Sequence, residues 1–188
     1  MKNLLLLVFA LISILNIYAQ DNVSNKLSES EENDIVIDIR KKFTEIENNC
    51  NTSYKRTSKD LNDYSTEGGY VSIFSDNEQI RKAKTTFYGE TGKAITEYYF
   101  WDNKVFFIFR QNYRYNSPIY ITEDTEEGFE AYDENKTKIY EDRYYFLNET
   151  LVRWIDENNE KVDRQSSSFN EKQKAILEDI EFIKSKIF

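Results

Sequence analysis

The sequence predicts an α+β domain: an antiparallel β-meander of about six strands, with an N-terminal and a C-terminal helix packed on one of its faces. Two observations predict it. Apolar residues recur at helical spacing near both ends of the chain. Between them an aromatic run, an Asn-containing turn and an apolar run recur three times, with the alternation of strands.

The elements follow in order along the chain. Residues 1–19 are set aside as a signal peptide. Lys2 supplies a positive start, Leu4 to Ile17 is almost continuously apolar, and Ala19 places a small residue at the cleavage position. The run is shorter than the roughly 20 apolar residues that a membrane span needs, and no later stretch qualifies, so no transmembrane segment is expected in the mature chain. The expected location is therefore secreted or periplasmic. Residues 20–30 read as a polar linker and 31–188 as one domain. Ser28-Glu29-Ser30-Glu31 has the form of a capping box, and Ile35, Ile39, Phe43 and Ile46 then make a single apolar stripe. At the other end Ser168-Phe169-Asn170-Glu171 repeats the capping pattern ahead of Ile176, Ile180, Ile183 and Ile187. Each helix has one apolar side, so both need a surface to lie on.

The clearest hairpin runs from Ala94 to Asn112, turning at Asp102-Asn103; the expected cross-strand pairs are Phe100 with Val105, Tyr99 with Phe106, and Tyr98 with Phe107. A second turns at Asn148-Glu149, between Tyr144-Tyr145-Phe146 and Leu151 to Ile155. A looser third turns near Asp76-Asn77, between Tyr70 to Phe74 and Ile80 to Phe87. In the central strand Val105, Phe107 and Phe109 should face one way and Phe106 and Ile108 the other, with Phe107 and Phe109 buried. A strand apolar on both sides needs a cover on its second face. The insertion Tyr113 to Ile139 or a partner are the two candidates.

Composition limits the chemistry. With no His among 188 residues, imidazole-dependent triads and His-containing zinc sites are excluded, and one Cys gives neither a disulfide framework nor a thiolate cluster. A formal charge of -9 argues against nucleic acid as a partner, since such binders neutralise phosphates with Lys and Arg. Five Gly and no phosphate-cradling motif leave no cofactor to nominate, and no calcium-loop pattern marks a metal. Cys50 follows the first helix, where the dipole disfavours a thiolate, so an idle or buried thiol is expected.

Candidate binding residues come from the insertion, where Tyr113, Arg114, Tyr115 and Tyr120 gather around the only Pro, with the acidic run Glu123 to Glu127 following. Tyr and Arg anchor interfaces because each gives a large contact area with a polar tip. The same segment could instead fold as a loop over the sheet edge. No catalytic residue stands out, because with 34 acids some carboxylate pair will meet the spacing for glycoside hydrolysis by chance. The expectation is a non-enzymatic binding or assembly module with a protein or glycan ligand; the alternative is a carboxylate-dependent hydrolase acting on extracellular or cell-wall glycan. The recurring Tyr-Tyr-Phe, Asn turn and apolar strand, from Tyr70 to Ile155, resemble those of uncharacterised exported proteins of Gram-negative bacteria with an aromatic-rich meander. That resemblance implies compartment and fold and carries no activity.

Overall fold

The computed structural model of the protein describes residues 27–123, 128 and 130–188. The segment read as a signal peptide, most of the expected linker, and Asp124, Thr125, Glu126 and Glu127 of the acidic run lie outside the described residues.

The sheet has seven strands, one more than expected, in strict sequence order with every neighbour antiparallel. They are β1 (Lys55–Asp60), β2 (Gly69–Asp76), β3 (Gln79–Gly89), β4 (Gly92–Trp101), β5 (Lys104–Arg114), β6 (Lys138–Leu147) and β7 (Thr150–Ile155). The additional strand is β1, a fully exposed edge without an apolar residue. Its Lys55, Arg56 and Lys59 are of the kind that keeps an open edge from recruiting another chain.

Two helices flank the strands. Helix α1 (Glu29–Cys50) starts on the expected capping box, with Ser28 Oγ accepting from the Glu31 N–H and the Glu31 carboxylate accepting from the Ser28 N–H. Helix α2 (Ser167–Ile187) is capped two residues earlier than expected: Ser166 Oγ accepts from the Phe169 N–H, so Ser168 lies inside the first turn.

The helices do not share a face, which corrects the sequence expectation. Ile176, Ile180, Ile183 and Ile187 of α2 pack into one core with Ile73, Tyr98, Phe100, Ile108, Tyr144 and Trp154. Val36, Ile39 and Ile46 of α1 pack into a second core with Phe74, Tyr99, Phe107, Tyr145 and Val152. Successive residues such as Tyr98 and Tyr99, or Tyr144 and Tyr145, therefore belong to different cores, as strand alternation requires. The cover on the second face of β5 is a helix, and neither the insertion nor a partner is needed for it. Each fully buried Ile contributes about 1.5–3 kcal/mol, so the two stripes are the main fastening of both outer layers.

Three hairpins share one design. Their two turn residues all have positive φ, at 46° and 68° for Asn77-Glu78, 50° and 60° for Asp102-Asn103, and 49° and 66° for Asn148-Glu149. That geometry matches the right-handed twist of paired strands. The register then shifts at the same place in each, between Phe74/Ser75, Tyr99/Phe100 and Tyr145/Phe146. An extra residue on the returning strand, Phe106 in the central hairpin, makes a β-bulge. The bulge moves Tyr99 opposite Phe107 and Tyr98 opposite Ile108, while Phe100 stays opposite Val105 as expected. It also corrects the faces: Phe106 and Phe107 both enter the α1 core, and Val105 joins Ile108 in the other. Phe107 is buried as expected, while Phe109 is half-buried against the α1 core.

Charges pin α1 across the sheet. At its first turn Glu32 is 0% exposed and ion-paired to Arg153, to Lys161 at 2.8 Å and to Arg164 at 3.7 Å. Near its last turn Glu47 accepts from Lys82 Nζ at 2.6 Å and from Tyr99 Oη at 2.9 Å. Helix α2 is held by Asp179 on Arg110 and by Lys184 on the turn residue Glu149.

Candidate functional site

The long strands run past the cover of α2, and a trough opens where that cover stops. The alternation of β5 shows the place. Ile108 is fully buried under α2, Arg110 pairs with Asp179 on the helix flank, and Asn112 and Arg114, next on the same face, are exposed. The ladder places Phe87, Ala94, Asn112 and Tyr140 side by side across β3, β4, β5 and β6. These four are the floor. Gly69 supports it from β2: a side chain there would put its Cβ 2.5 Å from Cδ1 of Phe87, so the missing Cβ is what lets that ring settle.

Two adjoining concavities occupy this floor. One of about 340 Å³ lies against α2 and is lined by Tyr64, Tyr98, Arg110, Asp179 and Phe182 in addition to Phe87, Ala94 and Asn112. The other, about 460 Å³, continues to the end of the sheet and adds Ser65, Arg114, Tyr140 and Glu157 to the same three floor residues. Because they share Phe87, Ala94 and Asn112, they form one elongated groove. At the helix end Tyr64 meets Phe182 edge to face, with centroids 4.9 Å apart, and Lys186 lies 4.8 Å over the Tyr64 ring. At the sheet end the Arg114 guanidinium lies 5.3 Å from the centroid of Tyr140.

The four residues singled out from the sequence do not form one patch. Tyr113 and Arg114 are the last residues of β5 rather than part of a loop, and alternation sends them to opposite faces. Arg114 rests on Tyr140 in the groove, whereas Tyr113 turns to the α1 side, with Lys93 Nζ 4.5 Å from its ring and its hydroxyl 3.4 Å from Gln111 Oε1. Tyr115 is half-buried; its N–H donates to Thr91 O and its ring packs against Tyr132 at 5.1 Å, so it ties the insertion down. Tyr120 is 57% exposed beyond the groove lining. Phe87, Asn112 and Tyr140 escaped the sequence reading. Their signal is the change from apolar to polar along one face of β5, which marks where a helix ceases to cover the strand.

A carboxylate pair also exists away from the groove. Glu47 and Glu97 both reach Lys82 and both accept from Tyr99 Oη. Burial pushes the Glu97 carboxyl up, but Lys82, the Tyr99 hydrogen bond and Lys84 outweigh it, and the pKa ends below its usual value. Such a group is an ionised anchor and not a proton donor. Burial pushes the neighbouring Cys50 thiol up to about 11, which keeps it protonated and inert. Among the described residues no cluster of three or more Cys, Asp or Glu could hold a metal ion, and no helix is long and apolar enough to cross a membrane. No family model matches the chain, and neither a curated protein nor a solved structure matches it.

Proposed function

We propose that this chain is an exported, non-enzymatic binding module acting in the periplasm or outside the cell, and that its ligand, a protein or a glycan, lies along the groove beside α2. One observation carries the reading: two concavities merge over a shared floor into a trough whose rings and polar side chains converge, the usual form of a ligand site. The alternative, hydrolysis by a pair of carboxyls, requires one with a raised pKa. Among the described residues, the carboxyls whose pKa departs clearly from the usual, Glu31, Glu32, Glu97 and Glu130, all depart downward.

The test is amide chemical-shift mapping of the folded chain against neutral oligosaccharides, acidic oligosaccharides and acidic peptides, with reducing ends assayed in parallel. Shifts gathered at Phe87, Asn112, Arg114 and Tyr140 without release of reducing ends support the proposal. Shifts confined to other surfaces retire the groove, and steady release of reducing ends restores the hydrolase. Export has its own check, since the protein recovered outside the cytoplasm should begin at Gln20 or Asp21.

A further inference from the structure

Resting on the groove being the binding site, we propose that its ligand is an acidic polysaccharide, gripped through a uronate carboxylate by Arg114.

The two arginines on this face of β5 differ in one respect. Arg110 is engaged by Asp179, whereas Arg114 forms no ion pair among the described residues and has its guanidinium 5.3 Å from the centroid of the Tyr140 ring. A guanidinium without an ion pair keeps its planar fork of donors available, the geometry that meets a carboxylate with two parallel hydrogen bonds. The cation–π contact with Tyr140 holds that fork in the trough.

The rest of the trough suits a sugar better than a peptide. Under the groove Phe87 pairs with Ala94, Ala94 with Asn112, and Asn112 with Tyr140, so the floor's strands are laddered to one another and an extended peptide cannot add to them as a further strand. Recognition must come from side chains. The Phe87 ring in the floor offers an apolar face to the C–H side of a pyranose, flanked by Tyr140 and Tyr64, which carry Arg114 and Lys186. Between them Asn112 and Ser65 supply hydrogen-bonding groups for hydroxyls. The floor crosses four adjacent strands spaced about 4.8 Å apart, roughly 14 Å in all, which is longer than one sugar ring.

Charge must be weighed, because the chain as a whole carries -9. At physiological ionic strength fields are screened within about 8 Å, so the groups lining the trough decide. There Arg110 and Asp179 cancel, Arg114 faces Glu157, and Lys186 over the Tyr64 ring adds a cation at the helix end, while Lys93 sits with Tyr113 on the other face. The trough therefore does not share the acidity of the chain as a whole, and Arg114 is the guanidinium in it without an ion pair among the described residues.

The experiment is titration calorimetry with trigalacturonate, its methyl ester and a Glu-rich peptide, supported by amide shifts for each. Trigalacturonate should bind with shifts at Asn112, Arg114 and Tyr140, and the uncharged ester should bind at least about tenfold more weakly, as expected on losing a charge-assisted hydrogen bond. Arg114→Gln should lose the same factor for the acid and almost nothing for the ester, with an unchanged melting temperature. Equal affinity for acid and ester, with shifts still in the groove, overturns the uronate assignment and leaves the groove standing. Groove shifts from the peptide alone overturn the saccharide. No groove shifts from any of the three overturn the inference together with the site on which it rests.

Discussion

The two ends of the sheet are made of the same strands and behave oppositely. At the turn end, where Asn77, Asp102 and Asn148 sit, both helices clamp the strands and Tyr99, Phe100, Phe107 and Phe146 are buried. At the other end β3 to β6 continue into Phe87, Ala94, Asn112 and Tyr140, which remain in part open to solvent. The difference lies in side-chain cover, since the backbone ladder is continuous from one end to the other. Stability is therefore concentrated in one half, and the other half is free to carry polar and aromatic side chains that a core would reject.

Substitutions at the two ends should separate accordingly. The largest effect is expected for Phe107→Ala, which empties a site shared with Phe43, Tyr99 and Tyr145 and should cost about 3–5 kcal/mol by denaturant unfolding. A loss below about 1 kcal/mol would mean that the clamped end is not the stabilising half.

Next is Glu32→Gln, which leaves Arg153 and Lys161 without their anion. Complete breakage of a sealed pair costs 3–5 kcal/mol, and because Lys161 is 41% exposed about 2 kcal/mol is expected here. The same residue sets a pH dependence. Burial raises its pKa, Lys161 and Arg153 lower it further, and the folded value lies below the unfolded one. A depressed carboxyl gives stability that is present above the unfolded pKa of about 4.3 and lost as pH falls through the folded value. Melting temperature should thus fall in acid below about pH 4, and less steeply in Glu32→Gln. Parallel curves for the two proteins would remove Glu32 as the cause.

A smaller effect is expected at the turn. Asn103 has φ of 60°, so Asn103→Ala should cost about 1 kcal/mol and Asn103→Gly should be neutral or better. The reverse order would show that the turn relaxes without strain. The smallest changes belong to the open end: Arg114→Ala and Tyr140→Ala should each alter stability by no more than about 0.5 kcal/mol. A larger loss at either residue would make it part of the packing and erase the contrast between the ends.

How much of this was legible depends on which force set each feature. The turns at Asp102-Asn103 and Asn148-Glu149 and the stripe Ile176, Ile180, Ile183, Ile187 were readable because local chemistry and period determine them. The third turn falls one residue later than read, at Asn77-Glu78. Strand β1 was invisible because Lys55 to Asp60 joins the sheet through backbone hydrogen bonds, which leave no side-chain pattern. The bulges escaped for a related reason: one added residue reverses the faces that follow, and nothing in Phe106-Phe107 says which ring is the extra one. In the groove Arg114 was singled out for its residue type, but Tyr140 is a neighbour only through the β5–β6 register across a long insertion.

The strictly sequential order of the strands also bears on how the chain reaches its fold. Each ladder joins neighbours in sequence, and short-range contacts of this kind favour rapid folding. Hairpins can close one after another as the polypeptide emerges. Helix α1 is the exception: although made first, it has the partners of Glu32 at residues 153, 161 and 164, in the last quarter of the chain. Until those arrive, seating Glu32 against the sheet would bury an uncompensated charge, which is costly. The first helix is therefore expected to dock last, and a chain cut short before β7 should display its apolar stripe to solvent, a visible mark of incomplete synthesis.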